Sequence, residues 1–322
     1  MFSPDQPKAE SVASPLDIDR ICLDPIFDQV SLPAVSQQGS ATCSAASDKG
    51  YKIISEQGFD SDRIVFFAID KDSKCYVIKK EEIRSGYSEF DIHKDLEQER
   101  IPKLTDSFDL NRRRYLVIEA IGSEVVDGFI HRAPSLAEVL ARLDDLEVDD
   151  PRNGAIRRAL TLEFPNICRA FSYLHEKNLV HRDCKPGNIV LNRGKAYLID
   201  FGIAVPPHNS HKDSLIAGSL CYLSPEQVAE GGYIAPASDI RSLATVLYEV
   251  ITGSALYSSD QMPPLITESI KREEPSEVAV FSDALPKQLA DVCLKGLKLR
   301  AGDRYRTMIE FADAINQCFE AD

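Results

Sequence analysis

The stretch HRDCKPGN, residues 181–188, sets a histidine, an arginine, an aspartate, a lysine and an asparagine within eight positions between two apolar runs. Charge this dense does not help to bury a core. It offers a carboxylate that can take a proton, an ammonium that can steady an anion, and an amide oxygen that can ligate a hard cation. DFG at 200–202, just after the apolar AYLI, adds a second carboxylate. YVIKK at 76–80 lies about a hundred residues upstream and supplies Lys79.

Two kinds of element must position them. YKIISEQG (51–58), RIVFFAID (63–70) and KCYVIKK (74–80) carry β-branched and aromatic residues separated by turn signals, and they read as strands. RRYLVIEAI (113–121) returns to strand character. Between them EFDIHKDLEQER (89–100) has helical spacing with a weak apolar face. From about residue 155 the chain turns helical. AIRRALTLEFPNICRAFSYLHEKN (155–178) predicts a long helix, or a pair divided or kinked at Pro165. NIVLNRGKAYLID (188–200) predicts a hairpin around NRGK, and ASDIRSLATVLYEVITG (237–253) a helix that stops at Gly253. LPKQLADVCLKGLK and TMIEFADAINQCF are helical as well. The expected fold class is α+β: a small β-rich lobe, then a larger, mainly helical lobe, with a cleft between them. Residues 1–48 read as a partly flexible extension, including a Ser/Ala/Gly-rich linker at 36–50. Residues 49–121 would form the first lobe with its connecting hinge, and 122–322 the second.

Bulk properties bound the function. The 322 residues are 43% hydrophobic, enough for a substantial core, and the formal net charge is −14. That charge argues against a general nucleic-acid surface and against an anionic membrane surface. No apolar run approaches the roughly 20 residues of a membrane span. The start MFSPDQPKAE lacks a basic-then-apolar leader layout, and the eight cysteines show neither a CxxC pair nor zinc spacing. The expectation is a cytoplasmic protein with free thiols.

The order and spacing of YVIKK, HRDCKPGN, DFG and SPE (224–226) are specific as a set, and over roughly residues 50–315 the chain resembles the eukaryotic-type (Hanks-type) Ser/Thr protein kinases. The resemblance implies a bilobal kinase-like fold, ATP and Mg²⁺ as cosubstrate and cofactor, and a protein substrate. By the same resemblance Asp183 is the base that orients the substrate hydroxyl, and Lys185 steadies the transferred phosphate. Asn188 and Asp200 hold the metal, and Lys79 holds the α/β-phosphates. The carboxylate partner of Lys79 has three candidates, Glu89, Glu97 and Glu99. The family register over EFDIHKDLEQERIPKL selects Glu89, with Glu97 second, and implies a helix trimmed at its start. Gly58, Val65, Val77, Ile118, Glu119, Ile121 and Val190 complete the implied ATP site. In it Ile118 is the gatekeeper, 119–121 the hinge, and the three valines sandwich the ring. Asp239 would brace the HRD backbone, and Glu226 would pair with Arg304. Lys185 and Ser219 follow the Ser/Thr pattern rather than the Tyr pattern.

The sequence departs from that family in named places. The glycine-rich loop reads GFDSDRIV (58–65), with Asp60 and Arg63 at positions the family gives to glycine. Glycine lets the backbone approach phosphates, and Asp60 adds a like charge there. Arg241 stands where the family has Trp, and His93 where an apolar residue stacks on Phe201. Extra acid-rich sequence lies between 122 and 155, and LDDLEVDD (143–150) reads as a solvated loop. His181 reads as a stacking residue, His175 as helix-end packing, and Cys184 and Cys221 as inert thiols. Two function classes stand: an active kinase, favoured by the complete acid–amide–lysine set, and a pseudokinase scaffold, favoured by GFDSDRIV. If Arg182 binds a phosphate on the segment 200–226, Ser214 is its expected site and Ser210 the second, unless Asp213 already serves as the anion.

Overall fold

The computed structural model describes residues 29–32, 41–58, 64–81, 83–84, 87–127, 129–147, 150–209, 220–258 and 260–320. Asp60, Arg63, Ser210, Asp213, Ser214 and Ser219 lie outside them.

Period-2 patterning in the first third builds an antiparallel sheet. Its strands are β2 (Lys52–Gly58), β3 (Ile64–Ile69), β4 (Cys75–Lys80), β7 (Leu104–Leu110) and β8 (Arg113–Glu119), ordered β2-β3-β4-β8-β7. A short strand β1 (Val30–Leu32) and a helix α1 (Ala41–Asp48) precede it. The linker expected at 36–50 is therefore helical over 41–48: the small residues let Ala46 approach the sheet and become fully buried. A two-stranded ribbon, β5 (Ile83–Arg84) and β6 (Tyr87–Ser88), leads into helix α2 (Glu89–His93). Helix α2 is only five residues long, shorter than the spacing over 89–100 suggested. Its Ile92, with Leu96 and Ile101 beyond it, joins the core of the lower lobe, so burial of the following turns overrides a weak helical face.

The sheet has two different faces. Phe66, Ala68, Tyr76, Ile78 and Val117 bury against Ala46 under α1. Cross-strand pairs Val65↔Lys79, Phe67↔Val77 and Val77↔Ile118 put those residues on the opposite face, toward the lower lobe.

After the hinge the chain makes a hairpin, β9 (Glu124–Val126) and β10 (Phe129–Arg132), and β10 pairs with β1 to give the order β1-β10-β9. By chain position the hairpin was expected with the lower lobe, yet its fully buried Ile130 packs on Phe67 of the upper sheet. Helix α3 (Leu136–Asp144) opens with a capping box between Ser135 and Glu138. Leu143, expected in a solvated loop, is fully buried in its last turn. Helix α4 (Pro151–Glu176) runs unbroken through Pro165. Buried residues on both sides of the proline, Leu160, Phe164, Ile167, Cys168 and Phe171, hold it in one piece against the core.

The hairpin β11 (Ile189–Asn192) and β12 (Lys195–Leu198) turns at Arg193 and Gly194, both in the left-handed region. A second ribbon joins β13 (His208–Asn209) to β14 (Tyr233–Ile234), flanking α5 (Pro225–Val228). Helix α6 (Pro236–Thr252) is buried along most of its length and is capped by Gly253 at φ 73°. Helices α8 (Leu289–Gly296) and α9 (Met308–Glu320) pack on it, and helix α7 (Pro263–Arg272) packs on α5. The result is α+β: a β-rich lobe set on a larger helical lobe whose core is built around α4 and α6. Among the described residues, no helix is long and apolar enough to cross a membrane.

Candidate active site

Lys79 projects from β4 into the cleft, where its Nζ meets two carboxylates: Glu89 Oε1 at 2.8 Å and Asp200 Oδ1 at 2.6 Å. Glu89 opens α2, whose N-cap Ser88 accepts from the Asp91 N–H and in turn donates to Glu81. A carboxylate at a helix N-terminus is favoured by the backbone dipoles there. Glu89 is the buried one of the three sequence candidates; Glu97 and Glu99 are exposed, and Glu99 pairs with Arg100. Burial alone would push the Lys79 ammonium toward neutrality, but the carboxylates of Asp200 and Glu89 outweigh it and hold it well above the ordinary lysine range. Desolvation opposes ionisation of Asp200, and Lys79 reverses that, holding it well below the usual carboxylate range.

Asp183, Lys185 and Asn188 converge on one carboxylate. Asp183 Oδ2 accepts from Lys185 Nζ at 2.7 Å and from Asn188 Nδ2 at 2.9 Å. The Asn188 amide also donates to the Asp183 carbonyl at 2.8 Å. Asp183 Oδ1 is buried and has no hydrogen-bond partner among the described residues. A buried carboxylate oxygen left open costs free energy unless a donor joins it, and Asp183 Oδ1 has the lone pairs to accept an O–H.

The backbone around these groups is held off its relaxed state. Arg182 has φ 72° and Asp200 φ 66°, a region few non-glycine residues adopt. Asp239 of α6, fully buried, accepts from the His181 N–H and the Arg182 N–H, each at 2.9 Å. Gln227 of α5 donates to the Arg182 carbonyl at 2.9 Å. His181 packs between Phe171 and Phe201, and Phe201 also meets His93 edge-on at a centroid distance of 5.0 Å. Burial pushes His93 down to about 4, so its imidazole is neutral at pH 7. Burial also drives the Cys184 thiol well up, with Asp239 and Asp183 adding to it, so that thiol is protonated and unreactive. Burial raises Cys221 as well.

Of the implied ring-binding residues, Val65, Val77 and Ile118 share the cleft face of the upper sheet with Lys79, and Val190 lies on β11 below. All four keep part of their surface exposed. The Ile121 N–H has no acceptor among the described residues, while the Glu119 and Ala120 N–H groups are bonded to Lys103 and Cys75 carbonyls. Gly58 ends β2 opposite Ile64, and the loop beyond it lies outside the described residues.

Below the cleft, Arg304 grips Glu226 with two hydrogen bonds, at 2.7 and 2.9 Å, and donates to the carbonyls of Ala237, Lys298 and Leu299. Arg241, in the place of the family's Trp, is fully buried and donates to Thr245 and the Tyr257 hydroxyl.

Three features escaped the sequence reading. His175 is more than helix-end packing: its Nε2 lies 2.8 Å from Asp239 Oδ2. Gln227 joins the HRD backbone, and no local pattern announces that contact. The hairpin 124–132 did carry a signal, the Asp-Gly dipeptide between two β-branched runs in EVVDGFIHR.

Comparison with known proteins agrees with this arrangement. The sequence model of the family described as "Protein kinase domain" matches residues 57–313. Serine/threonine-protein kinase PknB of Mycobacterium tuberculosis is 35% identical over 156 residues, which is 47% of this chain and 25% of that protein. Serine/threonine-protein kinase PrkC of Bacillus subtilis is 32% identical over 160 residues, 48% of this chain and 24% of that protein. The chain thus covers about a quarter of the length of the relatives it matches. A family match across most of the chain, on a two-lobed fold with these side chains meeting in its cleft, has one meaning: the chain belongs to the protein kinase domain family.

Proposed function

We propose that this chain transfers the γ-phosphoryl group of ATP to serine or threonine hydroxyls of protein substrates, with Mg²⁺. The observation that carries the reading is the asymmetry of Asp183: Oδ2 is fixed by Lys185 and Asn188, and the buried Oδ1 is open. Fixing one oxygen orients the carboxylate, and the other can accept the hydrogen of a substrate hydroxyl. Lys185, held beside that oxygen, lies where it can offset charge on the transferred group. Lys79, kept fully charged and oriented by Glu89, would hold the phosphates.

The donor set fits Mg²⁺, which prefers hard oxygen ligands and retains water and substrate oxygens. Asn188 commits its NH₂ to Asp183, which leaves its carbonyl oxygen as its ligand atom, and Asp200 is held ionised. When bound, the ion would neutralise phosphate charge. Among the described residues, no group of three His, Cys, Asp or Glu side chains could hold a metal alone, so the ion would be shared with the triphosphate. The net charge of −14 makes a protein rather than a nucleic acid the expected partner. The thiols of Cys75, Cys168, Cys184, Cys221 and Cys293 suit a reducing, cytoplasmic setting.

The test is incubation with γ-labelled ATP and generic protein substrates, with phosphoamino-acid analysis of the products. Wild type should label serine or threonine. Asp183→Ala should lose transfer and keep ATP binding. Wild type that binds ATP yet labels neither itself nor any protein would replace this reading with a nucleotide-binding scaffold.

A further inference from the structure

The hairpin β9–β10 is inserted between the hinge and α3, and the N-terminal strand β1 completes its sheet in the register Val30↔Arg132, Ser31↔His131 and Leu32↔Ile130. This small sheet is anchored at both ends of the cleft. At its root, Gly122 has φ +60°, and a Cβ there would lie 2.5 Å from the Asn192 side chain of β11, so the chain leaves the hinge in close contact with the lower strand. Gln29 Nε2 donates to the Gly122 carbonyl at 3.0 Å. Arg132 makes two bonds to Glu138 of α3, at 3.0 and 2.7 Å, and the Leu191 N–H donates to the Pro134 carbonyl at 2.8 Å. At its top, Leu32 and Ile130 form one buried cluster with Phe67, and Ile54, Val65 and Val77 pack against it.

The face this cluster occupies decides its meaning. Phe67 pairs with Val77, and Val65 with Lys79, so the cluster sits on the Lys79 side of the sheet. Two residues along a strand is about 7 Å, so the apolar patch begins next to the ammonium that would hold phosphate. Ile130 is fully buried there, yet Val65 and Val77 keep exposed surface. The sheet therefore borders the base-binding surface without filling it.

We propose that β1, β9 and β10 form an additional wall of the nucleotide site, in which Leu32 and Ile130 are positioning residues that, packed on the buried Phe67, hold Val65 and Val77 against the purine base. The proposal rests on the nucleotide-binding reading above. It makes the segment before the kinase-like core part of the site, and it supplies a fixed apolar brace on the sheet face that carries Lys79.

Two probes separate the ends of the site: adenosine, which has the base and no phosphate, and Mg²⁺–tripolyphosphate, which has no base. Titration calorimetry of the full chain should show Ile130→Ser weakening adenosine about tenfold, as expected when an apolar contact is lost from a binding wall. Tripolyphosphate affinity should be unchanged. In turnover, KM for ATP should rise with kcat unchanged, and Ile130→Leu should restore wild-type values. Should Ile130→Ser fail to fold, Leu32→Ala, in a three-residue edge strand, decides the matter with the same pattern at about threefold. Unchanged adenosine affinity would overturn the proposal, and tighter affinity would overturn it by showing that the sheet excludes the base. Wild type that binds neither adenosine nor ATP would remove the nucleotide reading itself, and this proposal with it.

Discussion

Asp239 Oδ1 accepts the backbone N–H of Arg182 at 2.9 Å, and through that bond the central helix of the lower lobe holds the residue before Asp183 in a left-handed conformation. The second oxygen of Asp239 takes the His181 N–H and faces His175 Nε2 at 2.8 Å. A helix that contributes no group to the reacting end of the cleft thus sets the geometry there.

Removing that carboxylate should affect both folding and chemistry. Asp239→Ala leaves two buried backbone N–H groups and an imidazole without their acceptor, a cost of about 3 kcal/mol. Denaturant unfolding should show the stability loss. Phosphoryl transfer, measured where the variant is still folded, should fall more than ATP binding does, because the strained Arg182 backbone relaxes and carries Asp183 with it.

Glu89 and Glu97 make opposite predictions. Glu89→Gln keeps the shape and removes a buried charge from Lys79, so phosphate positioning weakens. An expected loss of about 3 kcal/mol in kcat/KM corresponds to roughly a hundredfold. Glu97 is exposed, and Glu97→Gln should leave kinetics within experimental error of wild type. A larger effect at Glu97 than at Glu89 would reverse the assignment.

The Glu226–Arg304 pair should be costly to break from either side. Arg304 is buried, and Arg304→Ala would strand Glu226 and three backbone carbonyls, for about 3–5 kcal/mol. Glu226→Gln retains a hydrogen-bond acceptor and should cost less. Chemical denaturation of the two variants gives the order directly.

His93 gives a pH dependence whose sign is fixed by its burial. Its folded-state value is about 4, against an unfolded value near 6.5. Between these values the unfolded chain binds the proton and the folded chain does not, so stability is fully present above about pH 6.5 and is lost as pH falls toward 4. The contribution is on the order of 3 kcal/mol at most. His93→Phe, which can still stack on Phe201, should flatten the stability-versus-pH curve over that window. A curve parallel to wild type would show that His93 does not govern it.

That Lys79 meets Asp200, and that Lys185 and Asn188 meet Asp183, was to be expected from the family resemblance, which rests on residue types in short segments. The strands were legible in the sequence, since burying one face of a sheet enforces a period of two, as in IVFFAI. Residue type and spacing offered three glutamates as the partner of Lys79, and only the family register selected Glu89, since the register of a short, weakly patterned helix is set by what it packs on. Burial of Ile92, Leu96 and Ile101 fixes that register and turns Glu89 inward. The unbroken helix through Pro165 was likewise open from sequence: a proline's local cost is known, but whether packing on both sides outweighs it is a property of the whole core. Leu32, Gln227 and Asp239 act on residues between 45 and 98 positions away in the chain. No local pattern encodes a contact of that span; only the folded chain, by closing those loops and burying the groups together, decides it.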